Sequence, residues 1–88
     1  MNRNIIFHKS SWVDYLMWFK EDKKLFVKIN DLIENISQTP FNGLGKPEPL
    51  KNDLSGYWSR RIDDKHRLIY KIDSDNIYII SCRYHYKK

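Results

Sequence analysis

The sequence predicts an α+β domain: one N-terminal strand, two helices, then a three-stranded antiparallel meander, with the helices packed on one face of a curved sheet. Three observations carry this reading. Leu25, Phe26, Ile29, Leu32, Ile33 and Ile36 recur at helical spacing. After Ser55-Gly56 the texture changes to short runs rich in β-branched and aromatic residues. Asp63-Asp64-Lys65 and Asp73-Ser74-Asp75 supply turns between those runs. With 88 residues there is room for one core, so residues 1–88 form a single domain.

Asn4 to His8 reads as the first strand. Ser10 or Ser11 is suited to cap a helix, because a hydroxyl can accept from a free amide of the first turn. Trp12, Tyr15, Leu16 and Phe19 then recur at helical spacing. Glu21-Asp22 marks a break or a second helix start, where acidic side chains suit the positive end of the helix dipole. The stripe from Leu25 to Ile36 is the clearest helix in the chain, and Thr39-Pro40 ends it, since the residue before proline is pushed toward extended geometry. From Thr39 to Leu50 the chain holds Pro40, Pro47, Pro49, Gly43 and Gly45, which predicts a stiff loop. Tyr57 to Ile62, His66 to Ile72 and Asn76 to Tyr86 are the three strands of the meander.

The net charge of +5 is unevenly placed. Residues 1–45 carry six Lys/Arg against five Asp/Glu, while residues 46–88 carry ten against six. A basic half interleaved with aromatics suits a polyanionic partner; a solvated basic surface fits equally well on charge alone. The single cysteine, Cys82, excludes an internal disulfide, and His8, His66 and His85 are scattered, so no metal or cofactor is expected. No signal peptide or membrane span is apparent, and a reducing cytoplasm is the expected compartment.

The second half holds a set of groups able to cleave RNA without a metal. A base takes the proton from a ribose 2′-OH, an acid protonates the leaving 5′ oxygen, and a cation stabilises the phosphorane. Glu48, held between Pro47 and Pro49, suits the base. His85, followed by Tyr86, suits the acid, because imidazole titrates near neutrality. Arg60, Arg61, Arg67 and Arg83 offer planar forks that match phosphate oxygens. Each also has a plain reading: a solvated loop carboxylate, a histidine bonded to backbone, arginines on an exposed sheet face. Tyr57, Trp58, Tyr70 and Tyr84 read as core rather than as base-stacking platforms.

Strand parity sets a condition. Side chains alternate between sheet faces, so a two-residue turn that pairs Asp73 with Asn76 would send Arg67 and His85 to opposite faces. A three-residue turn at Ser74 to Asn76, or a bulge, would bring Arg67, Arg83 and His85 to one face.

Beyond this, long strings resemble a known family. The run from Thr39 through Lys51 (TPFNGLGKPEPLK), Leu54 to Ile62 (LSGYWSRRI), His66 to Tyr70 (HRLIY) and Cys82 to Tyr86 (CRYHY) are similar to the YoeB/Txe-type toxins of the RelE superfamily, in order and at matching spacing. Ser11 to Tyr15 and Lys28 to Ile33 resemble the family's helices. The resemblance implies a RelE-like fold and a ribosome-dependent mRNA endoribonuclease that cuts mRNA in the ribosomal A site. It implies neutralisation by a YefM-type antitoxin, a homodimer when free, and operator DNA binding only as the toxin–antitoxin complex. By motif it assigns Glu48 as general base, Arg67 as transition-state arginine, His85 as general acid and Tyr86 as a substrate-positioning residue. Lys46, Lys51 and Arg61 fall where phosphate contact is expected, and Arg83 is grouped with them. The alternative of another class is a non-cleaving toxin of the same fold, acting by occluding the ribosome or inhibiting gyrase.

Overall fold

The computed structural model describes residues 3–84. The chain runs β1 (Asn4–Phe7), α1 (Lys9–Glu21), α2 (Lys23–Gln38), β2 (Glu48–Pro49), a 3-10 turn at Asn52–Leu54, β3 (Trp58–Arg61), β4 (Arg67–Ile72) and β5 (Asn76–Ser81). These strands form one five-stranded sheet in the order β1-β5-β4-β3-β2. The meander β3-β4-β5 is antiparallel as expected, and β1 lies parallel to β5 at the edge.

The second helix begins where the acidic pair predicts. Asp22 caps α2, its Oδ1 accepting from Lys24 N–H at 3.1 Å and Leu25 N–H at 3.3 Å. Its apolar stripe supplies Ile29, Leu32, Ile33 and Ile36 to the core, with Leu25 and Phe26 packed against them. These meet Leu68 and Tyr70 of β4 and Ile77 and Ile79 of β5 on one face of the sheet.

The first helix departs from expectation. It starts at Lys9, and Ser11 lies inside it, buried, its hydroxyl donating to the carbonyls of His8 and Ile79. The serine thus stitches the helix to β5 instead of capping it. Only Ser11 and Trp18 of α1 are buried. Trp12, Leu16 and Phe19 are exposed, and Val13, Leu16, Met17 and Lys20 line a cleft of about 160 Å³ on the outer surface.

The proline-rich segment also differs. Glu48 and Pro49 form an edge strand on β3, with Glu48 opposite Ser59 and Pro49 opposite Trp58. Proline donates no amide to a ladder, which confines it to such an edge. The stretch before this strand is pinned by Arg60, which is fully buried. Its guanidinium donates to Tyr70 Oη, Asn35 Oδ1 and the carbonyls of Thr39, Asn42 and Leu44. Among the described residues no carboxylate pairs with it, so carbonyl, amide and hydroxyl dipoles carry the compensation for a buried cation. Gly45 passes so close to β3 that a Cβ would lie 2.9 Å from Leu32 Cδ2 and 3.0 Å from the Arg61 carbonyl, and its φ of +79° suits glycine alone.

Candidate active site

The parity question is answered at the β4–β5 hairpin. Asp73 N–H bonds the Asn76 carbonyl, and Ile72 stands opposite Ile77, so the turn is the two-residue form. Tyr70 pairs with Ile79, but Ile69 pairs with Ser81. One extra residue in β5 is therefore bulged out, and odd positions face odd ones beyond it. The bulge alternative is the one realised. His85 and Tyr86 lie outside the described residues.

Facing residues of paired strands project to the same side of a sheet. Leu68 and Tyr70 lie on the helix side, so Arg67, Ile69 and Lys71 lie on the other. Across β3, Ser59 faces Ile69 and Arg61 faces Arg67. Across β2, Glu48 faces Ser59. Glu48, Ser59, Arg61, Arg67 and Ile69 therefore share the face that no helix covers. Ser59 and Ile69 are nearly buried and form its floor, while Glu48 and Arg61 are exposed at its margin. Glu48 and Arg67 are separated by two strand spacings and two residues, roughly 12 Å between Cα atoms.

Arg67 is held from its own turn. Its Nη1 donates to the Asp63 carbonyl at 2.7 Å and the His66 carbonyl at 3.1 Å. Asp63 shapes that turn by accepting the amides of Lys65 and His66 on Oδ1, at 2.9 and 2.6 Å. Desolvation pulls the Asp63 carboxyl up, but the two amide bonds and the nearby His66 and Arg67 outweigh it, and the net shift is downward. Lys46, with φ of 52°, and Lys51 are exposed on either side of β2. Lys71 lies over the rings of Tyr57 and Tyr78, at 5.5 and 5.3 Å, farther along the same face.

Arg83 does not join this group. β5 ends at Ser81 rather than running on toward Tyr86, so alternation no longer governs Arg83. Its guanidinium turns to α1, pairing with Glu21 at 2.9 Å and stacking over Trp18 at 4.5 Å. The Glu21 hydrogen bond, then that of Tyr84, raises its pKa further. Tyr84, expected in the core, is exposed, whereas Tyr70 is buried with its hydroxyl pKa raised by desolvation. Burial likewise pushes the Cys82 thiol up to about 12, which leaves it unreactive at neutral pH.

Two features of the site escaped sequence reading. One is β2, which the Pro-Glu-Pro run signals to a reader who expects proline at sheet edges. The other is His66, whose imidazole is buried beside Trp18 and accepts the Tyr84 amide on Nδ1 at 2.7 Å.

A five-stranded sheet backed by two helices, with a carboxylate and arginines on its open face, defines a small toxin fold of the RelE type. The profile described as "YoeB-like toxin of bacterial type II toxin-antitoxin system" matches residues 7–86. Toxin YoeB of Escherichia coli K12 is 54% identical over 82 residues, covering 93% of this chain and 98% of that protein. Toxin YoeB of Streptomyces coelicolor is 56% identical over 82 residues with the same coverage. Among solved structures, a YoeB/ParE toxin from Agrobacterium tumefaciens superposes with a TM-score of 0.92 at 49% identity, covering 94% of this chain and 99% of that one. The YoeB dimer from Staphylococcus aureus gives 0.92 at 45% identity, covering 98% and 100%. The chain belongs to the YoeB-like toxin family of bacterial type II toxin–antitoxin systems.

Proposed function

We propose that this toxin is a metal-independent, ribosome-dependent mRNA endoribonuclease. Glu48 takes the proton from a ribose 2′-OH, whose oxygen attacks the adjacent phosphorus. The P–O5′ bond breaks, and His85 protonates the departing 5′ oxygen, leaving a 2′,3′-cyclic phosphate that water can open to a 3′-phosphate. Arg67 neutralises the extra charge on the phosphorane, and Tyr86 positions the substrate. Arg61, Lys46 and Lys51 contact flanking phosphates. Arg83, engaged with Glu21, serves to hold the chain end.

The observation that carries this reading is the shared open face: the register through β2, β3 and β4 aligns Glu48 with Ser59 and Arg61 with Arg67. The exposure of Glu48 supports the need for a ribosome. A carboxylate on a two-residue edge strand is poorly fixed by itself, and mRNA held in the A site would contribute the in-line orientation.

The partners follow the relatives. Solved complexes include YoeB-YefM from Staphylococcus aureus, at 44% identity, and the YoeB dimer of the same species. We infer a YefM-type antitoxin for this chain, a homodimer when free, and operator DNA binding by the complex alone. The exposed apolar residues of α1 supply surface for protein contacts. No helix among the described residues is long and apolar enough to cross a membrane; action on translated mRNA implies the cytoplasm.

The test is to map mRNA 5′ ends after induction, and in purified translation reactions with and without ribosomes. New 5′ ends at defined codon positions, dependent on ribosomes and absent with Glu48→Ala, are expected. Growth arrest with intact mRNA would overturn cleavage and favour a toxin acting by occlusion, or by gyrase inhibition if DNA damage accompanies it.

A further inference from the structure

Tyr84 is the last described residue, and it immediately precedes His85. Its φ of 64° lies in the left-handed region, which costs an aromatic residue on the order of 1–2 kcal/mol. Something must hold it there. The ring, 54% exposed, lies at the surface, with His66 at 5.5 Å between centroids and the Lys65 and Arg83 cations at 5.6 Å. The β5 ladder does not hold the backbone, because it ends at Ser81.

The backbone is instead caught on both sides. The Tyr84 N–H donates to His66 Nδ1 at 2.7 Å, and the Tyr84 carbonyl accepts the Arg67 N–H at 3.0 Å. His66 is itself fixed. Its ring meets Trp18 edge-on at 4.8 Å between centroids, its amide bonds Asp63 Oδ1 at 2.6 Å, and its carbonyl accepts the Ile62 amide at 2.9 Å. Trp18 completes the clamp by donating its indole N–H to the Cys82 carbonyl at 3.0 Å. Two side chains from distant elements thus replace the missing ladder. One dipeptide, His66-Arg67, both carries the arginine assigned to the phosphorane and anchors the chain at Tyr84, just before His85 in sequence.

We propose that His66 is a positioning residue for catalysis: by accepting the Tyr84 amide on Nδ1, it fixes the direction in which the chain leaves for His85 and couples that direction to Arg67. This rests on the role assigned to His85 above. In this geometry Nδ1 serves as the acceptor of the Tyr84 amide. Asparagine, whose Oδ1 can occupy the place of Nδ1, should preserve the anchor. Phenylalanine should preserve the packing on Trp18 and lose the anchor.

The test compares wild type, His66→Asn, His66→Phe and His85→Ala in ribosome-programmed cleavage, with amide NMR of Tyr84 and thermal melts alongside. His66→Phe is expected to fold, to lose about 10–100-fold in kcat with KM little changed, and to shift the Tyr84 amide upfield. His66→Asn is expected to restore most of kcat and the downfield amide. Wild-type kcat in His66→Phe, or a His66→Asn no better than His66→Phe at equal stability, would overturn the proposal. Wild-type cleavage by His85→Ala would instead remove the catalytic assignment itself, and the positioning role with it.

Discussion

Arg60 and Arg61 are consecutive in β3, yet their surroundings differ completely. Arg60 points to the helix side, where it is fully buried and all its reach goes into five internal acceptors. Arg61 points to the open side, stays exposed and stands opposite Arg67. The helix side of the sheet is a packed core in which even a cation is internally satisfied. The open side sets like charges opposite each other over a floor of Ser59 and Ile69. Like charges directly across a ladder oppose folding. The proposed phosphate ligand would supply the charge that this arrangement lacks.

Substitutions on the two sides should therefore separate activity from stability. The largest effect is expected on the open face. Glu48→Gln should lower cleavage by about 10²–10⁴-fold and Arg67→Ala by about 10²–10³-fold, each with a melting temperature near wild type. Ribosome-programmed cleavage beside thermal melts checks both, and a large stability loss in either would erase the distinction between the faces. Next comes the core: Arg60→Ala strands several buried acceptors and should cost about 3 kcal/mol in urea unfolding. A near-neutral result would show that the loop before β2 does not depend on this cation.

A smaller effect concerns acid. The Asp63 carboxyl is held below its ordinary value of 3.8 by the amides of its turn, net of desolvation. A depressed carboxyl contributes stability that is present above the unfolded-state value and lost as pH falls through the lower folded one. Wild type should therefore lose more stability than Asp63→Asn below about pH 4, measured as urea midpoints across the acid range. The smallest effect is at the chain end. Glu21→Gln weakens a partly exposed ion pair with Arg83 and should change stability by about 1 kcal/mol or less, with the change shrinking in high salt. A large loss of cleavage in that variant would bring Arg83 back into the site.

Much of this architecture is legible in the amino-acid order because it is periodic and local. The stripe from Leu25 to Ile36 dictates α2, Asp22 caps it with its own carboxylate, and Asp63 and Asp73 build their turns from neighbouring amides. The strings around Glu48 and from Leu54 to Tyr70 place the chain in its family, and the matching profile bears that out. The rest depends on contacts between residues far apart in sequence. Nothing local tells Ser11 that the Ile79 carbonyl waits for its hydroxyl, so a capping residue becomes a stitch. Parity distinguishes Arg60 from Arg61, but which parity faces the helices is set only when the sheet packs. The register shift between Tyr70 and Ile69 sets Ser81 opposite Ile69, and it arises from the fit of two whole strands. The open face is composed in the same way: the sequence by itself determined the residues Glu48, Arg61 and Arg67, and only the registry of three strands made them neighbours, because hydrogen-bonded pairing acts across tens of residues that no local pattern connects.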